Sequence, residues 1–376
     1  MNANETARRA LRVLACALGA AILGASGAAI AAPKSWGPYT YEKVDIADGV
    51  YGFFEPKLNA VVSSNIVAVV GNDAILVFDS GHHPPVTRAI IAEIRKISAK
   101  PVRYVVNSHW HHDHWVGNAE FTTAWPAAQV IAHPFTAQLI QSLRDKFRGA
   151  PCKAELEKEL APQRKLLAGG KRDDGTPLSD KSRAFLADAI AGLEQSIREC
   201  DEEKFRNADL TFDSTLSVDL GGRRVELKFL GRGNTGGDIV AWLPDVRTVL
   251  TGDLVVHPFP FATQSYLTEW AAVLRKITAL QPAIVVPGHG PLQHDTAYVD
   301  QLADMLEDTS RQAHTAWQPG MSADDLRKKI DITAWSDKFS HGDAFIKANF
   351  DYMLGQPGID RLWQELSGNW KPEGDE

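Results

Sequence analysis

Residues 107–118 read NSHWHHDHWVGN. Four histidines and one aspartate fall in six positions, 109 to 114. Imidazoles and carboxylates are the common protein ligands of zinc, and an ordinary solvated loop does not concentrate them this way. The run just before, PVRYVV (101–106), is rich in β-branched residues and bounded by turn formers, so it predicts a strand that feeds the cluster. Alternate side chains of an extended segment point the same way. His109 and His111 are therefore expected to face one point, and Asp113 and His114, after the chain has turned, a second point beside it. Two adjacent metal centres follow. His112 falls between ligands and is expected to point away, exposed or in support. Trp110 and Trp115 either wall the site or pack beneath the loop.

Outward from the cluster, VYGFF (50–54), NIVAVVG (65–71) and AILVFDSG (74–81) predict strands. Residues 84–100 predict a helix, with Ile90, Ile91, Ile94 and Ile97 at helical spacing. AQVIAH (128–133) predicts another strand. Strands alternating with helices indicate a layered α/β domain. Residues 134–208 are charged, poor in β-branched residues and expected to be a helical insertion that could act as a lid, with Phe185, Ile190, Leu193 and Ile197 along one helix face. Strands resume at 216–222, 224–231, 238–244, 248–256 and 283–290, with a helix over 268–280. Residues 296–376 are expected to form a helical C-terminal extension, with Ser322 and Asp325 capping one of its helices.

The first 32 residues read as an export signal: Arg8, Arg9 and Arg12 precede an Ala- and Gly-rich apolar run that ends in small residues before Pro33. A lipid anchor at Cys16 fits poorly, because that cysteine precedes most of the apolar run. A periplasmic or secreted bacterial protein is expected, without stable membrane insertion. Cys152 and Cys200 remain, free or paired; an oxidising compartment favours pairing. The net charge is −7 and there is no basic stripe with interleaved aromatics, so a nucleic-acid partner is not expected.

The run H-x-H-x-D-H at 109–114 resembles the signature of the metallo-β-lactamase superfamily. VFDSG (77–81), TGD (251–253) and PGHG (287–290) follow in that family's order. The resemblance covers roughly residues 45–295, within a domain set at 40–295. It implies a four-layer αβ/βα sandwich, with the helical insertion and the C-terminal extension added. It also implies one or two zinc ions held by His109, His111, Asp113, His114, Asp253 and His289, with Asp253 bridging and Asp79 buttressing. One position departs from the family. GRGNTGGD (231–238) places Asn234 where the first metal site usually has its third histidine. An amide oxygen is a weaker zinc ligand than imidazole, so the first site is expected to be weak or to keep an open position.

The expected reaction is attack by a metal-activated water on an amide, lactam, ester or thioester bond of a small molecule. Asp113, Asn234 and His257 are the catalytic candidates. No G-x-S-x-G nucleophile motif is apparent. Weaker candidates are His133 as a support, His82 and His83 at the mouth of the site, and Arg232 and Tyr266 as anion contacts. Trp270 reads as core, and His294, His314 and His341 as surface. Two rival classes stay open: a metal- or ligand-binding protein disabled at Asn234, and an iron-dependent oxidoreductase.

Overall fold

Two β-sheets lie face to face with helices on both outer surfaces. This arrangement is seen in a computed structural model that describes residues 34–36, 39–55, 63–144, 146, 148–171, 175, 177–370 and 373. The signal expected at 1–32, with Cys16, lies outside the described residues. The first sheet runs in order β1 (Lys34–Trp36), β2 (Tyr39–Ala47), β3 (Val50–Phe54), β4 (Ile66–Val70), β5 (Ile75–Phe78), β6 (Val102–Val106), β7 (Gln129–Ala132) and β8 (Leu210–Thr211). Pairing is antiparallel up to β5 and parallel from β5 onward. The second sheet holds β9 (Thr215–Asp219), β10 (Arg224–Phe229), β11 (Ile239–Leu243), β12 (Thr248–Leu250) and β13 (Ile284–Val286), with β12 and β13 parallel.

The strand period of two explains the layers. Val67, Val69, Leu76 and Phe78 turn inward and meet Leu227, Ile239, Ala241 and Leu250 of the other sheet. Ile66, Ala68, Ile75 and Val77 turn outward onto α1 (Pro84–Ile97), through its Val86, Ile90, Ile91 and Ile94. A strand buried on both faces reads as an unbroken apolar run, which is why ILVF and IVAWL carry no polar alternation. On the far side, Val240, Trp242 and Val249 pack against α6 (Leu267–Ala279) and α7 (Ala297–Ala316).

The remaining helices are α2 (Asn118–Ala124), α3 (Pro134–Leu143), α4 (Gly149–Gly169) and α5 (Asp180–Glu199), then α8 (Ala323–Arg327), α9 (Thr333–Ser340), α10 (Ala344–Met353) and α11 (Ile359–Ser367). Ser322 caps α8 by accepting the Asp325 N–H at 3.1 Å. Two expectations need correction. The strand expected over 248–256 stops at Leu250, because Gly252 takes a left-handed turn (φ 51°) and the chain becomes a short helical turn that presents Asp253. The buried face of α5 is Phe185, Leu186, Ala189, Gly192, Ser196 and Glu199, whereas Ile190, Leu193 and Ile197 are half-buried. Glu199 on that face is buried against His83 at 2.8 Å.

Cys152 of α4 and Cys200, just past α5, form a disulfide with Cα atoms 5.8 Å apart. The pair spans 48 residues, a loop worth about 4 kcal/mol on the chain-entropy account. Replacing both cysteines with serine should therefore lower the denaturant midpoint and lose up to about that amount. An unchanged midpoint for C152S/C200S would mean that the bridge does not hold the insertion. No helix among the described residues is long and apolar enough to cross a membrane.

Candidate metal centre

The site collects at one end of the two sheets, where strands finish. Asp79 follows β5, residues 107–114 follow β6, Asp253 follows β12 and His289 follows β13. Open α/β sheets generally bind their ligands at the carboxyl ends of strands. Asp79 organises the loop from below. Its oxygens accept from Ser108 N (2.7 Å), Ser108 Oγ (2.8 Å) and His114 Nδ1 (2.8 Å). A carboxylate on Nδ1 keeps the proton there and leaves Nε2 free to ligate. Ser108 Oγ also lies 3.0 Å from His109 Nδ1 and gives that ring the same polarity.

The free atoms then converge. Asp113 Oδ2 is 3.3 Å from His114 Nε2 and 3.1 Å from His289 Nε2. Asp253 Oδ1 is 3.3 Å from His114 Nε2 and 3.4 Å from His289 Nε2. Four donors around a tetrahedral zinc at about 2.0–2.1 Å stand roughly 3.3–3.4 Å apart, and the four carboxylate–imidazole distances of this half-site fall close to that value. The other half-site is looser: Asp253 Oδ2 lies 3.6 Å from His109 Nε2 and 4.0 Å from His111 Nδ1. His109 Nε2, Asp113 Oδ2, His114 Nε2 and Asp253 Oδ1 are buried and have no hydrogen-bond partner. Buried polar atoms are rarely left so, and a divalent cation would satisfy all four.

The electrostatics point the same way. Burial opposes charge on His114 and His289, but the surrounding carboxylates overcome it. Asp113, Asp253 and Asp79 raise His114 well above the ordinary histidine value, and Asp253 and Asp113 raise His289 to about 10. Burial likewise works against ionised Asp113 and Asp253, yet the histidines hold both carboxyls well below their usual range. His109 is driven well down by burial and by the neighbouring His114 and His111. The centre thus attracts positive charge strongly, and a cation would take the place of bound protons.

Asn234 is fully buried and neither end of its amide has a partner. Its loop is set by Asp238, which accepts from Thr235 N and Oγ1. His257 donates its backbone N–H to the His289 carbonyl at 3.1 Å, while its ring rests on Tyr298, with centroids 4.9 Å apart. Its observed contact with the centre is therefore through backbone rather than imidazole. Trp110 and Trp115 are buried with Val116, Leu139, Ile140 and Leu143 and so pack beneath the loop. His133 caps α3 through the Phe135 N–H and stacks on Phe229. His83 is buried against Glu199 at 2.8 Å and His82 lies on His112, so both sit under the end of the insertion rather than at an open mouth. Arg232 pairs with Glu269 and covers the Tyr266 ring. Trp270 is core, and His294, His314 and His341 are exposed.

Several supports lie outside every motif. Asn65 grips the PGHG turn: its backbone N–H donates to Gly288 O (2.7 Å) and its amide to Pro287 O (3.0 Å) and Gly290 O (2.9 Å). Ser64 Oγ donates to the Asp113 carbonyl at 2.7 Å. Glu373 accepts from Trp110 Nε1 (2.6 Å) and Gly236 N (2.9 Å), tying the ligand loop to the Asn234 loop. The only sequence signal for Asn65 and Ser64 is a polar S-S-N turn before an apolar strand.

A four-layer α/β sandwich with paired His/Asp half-sites at its strand ends defines a metallohydrolase-type scaffold. The sequence model of the metallo-beta-lactamase superfamily matches residues 59–289, and the chain belongs to that superfamily. Among curated proteins, it is 24% identical over 271 residues to the linear primary-alkylsulfatase of Pseudomonas sp. (strain ATCC 19151), covering 69% of this chain and 48% of that protein. It is 30% identical over 112 residues to the metallo-beta-lactamase type 2 of Bacteroides fragilis, covering 27% of this chain and 44% of that protein. The chain thus spans about half the length of these curated relatives. Among solved structures, the metallo-beta-lactamase from Pontibacter korlensis is 19% identical, with a TM-score of 0.49 over 71% of this chain and 99% of that one. The DIM-1 metallo-beta-lactamase is 15% identical, with a TM-score of 0.47 over 70% of this chain and 97% of that one.

Proposed function

We propose that the protein is an exported zinc-dependent hydrolase that cleaves an amide, lactam, ester or thioester bond of a small molecule. The observation that carries this reading is the 3.1–3.4 Å spacing of Asp113, His114, Asp253 and His289 donor atoms. The two curated relatives are named for hydrolysis of a sulfate ester and of a lactam, which supports hydrolysis without choosing the bond. Export is supported by the signal-like N-terminus and by the Cys152–Cys200 bridge, a pairing typical of oxidising compartments.

A zinc ion bound here supplies Lewis acidity and a water acidic enough to attack near neutral pH. The chain's own residues do the rest. Asp253 offers one oxygen to each half-site. Asp113 shares Oδ2 with His114 and His289, and its other oxygen is proposed to orient the attacking water. Asp79 holds the His114 tautomer and keeps its proton on Nδ1. Asn234 leaves the looser half-site with two histidines and one carboxylate oxygen.

Metal content decides between one and two ions. Protein purified without chelator or added zinc should hold about one zinc, and Asn234→His about two. Two zinc ions in the natural protein would make Asn234 a tolerated ligand and keep a two-metal mechanism. Turnover is then read with nitrophenyl esters, a chromogenic cephalosporin, a thioester and a medium-chain alkyl sulfate. Protein that holds zinc yet cleaves none of them would be a binding member of the fold, and protein that holds no zinc would end the proposal.

A further inference from the structure

His111 uses its two ring nitrogens on opposite sides. Nδ1 faces Asp253 Oδ2 at 4.0 Å, and Nε2 lies 2.7 Å from Gln264 Oε1. A neutral imidazole ligates through one nitrogen only if the other carries the proton. An amide oxygen can only accept, so this contact requires the proton on Nε2 and leaves the Nδ1 lone pair directed at the half-site. We infer that Gln264 is a positioning residue that holds His111 in the tautomer and ring orientation needed by the first half-site.

Gln264 is itself held from the C-terminal helices. Arg361 of α11 is buried, and its guanidinium donates to the Gln264 carbonyl (3.2 Å) and the Ser265 carbonyl (3.4 Å). Its third arm reaches Gln364 at 2.9 Å, and Trp370 covers its face at 3.8 Å. One turn later, Glu365 accepts from Leu267 N (2.9 Å), Thr268 N (3.2 Å) and Thr268 Oγ1. One helix therefore grips residues 264–268 at both ends. The dependence runs from Arg361 through the 264–265 backbone to the Gln264 amide and then to His111. This half-site lacks a third histidine, so the orientation of His111 counts for more than it would in a full ligand set. A hydrogen-bond partner on the far nitrogen of a metal-binding histidine is worth about 10–100-fold in metal affinity.

The inference rests on the reading that the first half-site takes a metal ion, and the test separates the two. Wild type, Gln264→Leu, Gln264→Glu and Arg361→Lys are titrated with zinc and with cobalt against a competing chelator. The His111 tautomer is read by nitrogen–proton NMR on the metal-free proteins. The expected result is a roughly 10–100-fold weaker first-site affinity in Q264L, an unchanged second site, and retention in Q264E, whose side chain also accepts. R361K should fall between. Metal-free wild type should show the Nε2–H form of His111, and Q264L a mixture. Equal first-site affinity in wild type and Q264L, or an unchanged tautomer, overturns the role of Gln264. If the first half-site of wild type takes no ion even at excess metal, the metal reading of that half-site fails, and the tautomer comparison alone decides Gln264.

Discussion

Asp253→Asn should leave the fold standing and abolish the proposed hydrolysis. Asp253 is the carboxylate that faces both half-sites: Oδ1 looks to His114 and His289, Oδ2 to His109 and His111. Asparagine keeps the shape but removes the charge and turns one donor position into an N–H group. One half-site then loses its Asp253 ligand outright, and the other keeps only a neutral amide oxygen, a weaker ligand for zinc. A loss of roughly a thousand-fold or more in kcat/KM is expected, equivalent to about 4 kcal/mol of transition-state stabilisation. Stability of the metal-free protein should change far less. The Asp253 charge contributes to the raised values of His114 and His289, and those rings can release protons once it is gone. Metal analysis, circular dichroism and kinetics on one preparation separate these effects. A D253N protein that keeps its zinc and most of its turnover would show that the centre has been assigned to the wrong carboxylate.

Gly288→Ala should disable the same centre without replacing any candidate ligand. A Cβ on Gly288 would stand 2.0 Å from Asp253 Oδ1, 2.7 Å from the Gly252 carbonyl carbon and 2.9 Å from Asp253 N. Two of those three atoms are backbone, so no side-chain rotation relieves the clash. The turn is also pinned, since Gly288 N donates to Gly252 O (2.9 Å) and Val255 O (3.0 Å) and its carbonyl accepts from Asn65 N (2.7 Å). Gly288 is not among the residues with positive φ, so the glycine is required for space rather than for its dihedral. Overpacking of this kind costs about 1–3 kcal/mol. Displacing Asp253 and His289 together should lower zinc affinity and cut turnover by about a hundred-fold, in line with ligands misplaced by an ångström. Calorimetry and zinc titration of G288A check both effects, and wild-type affinity in that variant would mean that the turn relaxes freely.

The histidines and aspartates that converge at the site were legible because their chemistry is local. His109, His111, Asp113 and His114 share one short loop, and a strand followed by a turn is enough to send them to two points. Asp79, Asp253 and His289 each end an apolar run, so strand ends could be read from hydrophobicity. The strand expected past Leu250 shows the limit. VLTGDLVV is apolar enough for a strand, but the left-handed Gly252 and the contact between the TGD and PGHG turns break it. His82, His83 and His257 carry the right chemistry, yet their rings are engaged by His112, Glu199 and Tyr298.

Taken alone, the sequence determined the layered α/β plan, the order of the strands that carry the site, the helical character of 134–208 and which histidines and aspartates are candidates to meet at the strand ends. Those properties depend on spacing within a dozen residues and on side-chain chemistry. The tertiary structure decided how tightly each half-site is drawn, which glycine makes room for Asp253, and which residues orient the ligands. Gln264 meets His111 across 153 positions, Asn65 meets Pro287 across 222, and Glu373 meets Trp110 across 263. Contacts of that range exist only after two sheets have closed on a shared core and the C-terminal helices have docked on one of them. Hydrophobic burial drives that closure without direction, so local spacing holds no record of which distant polar groups will meet.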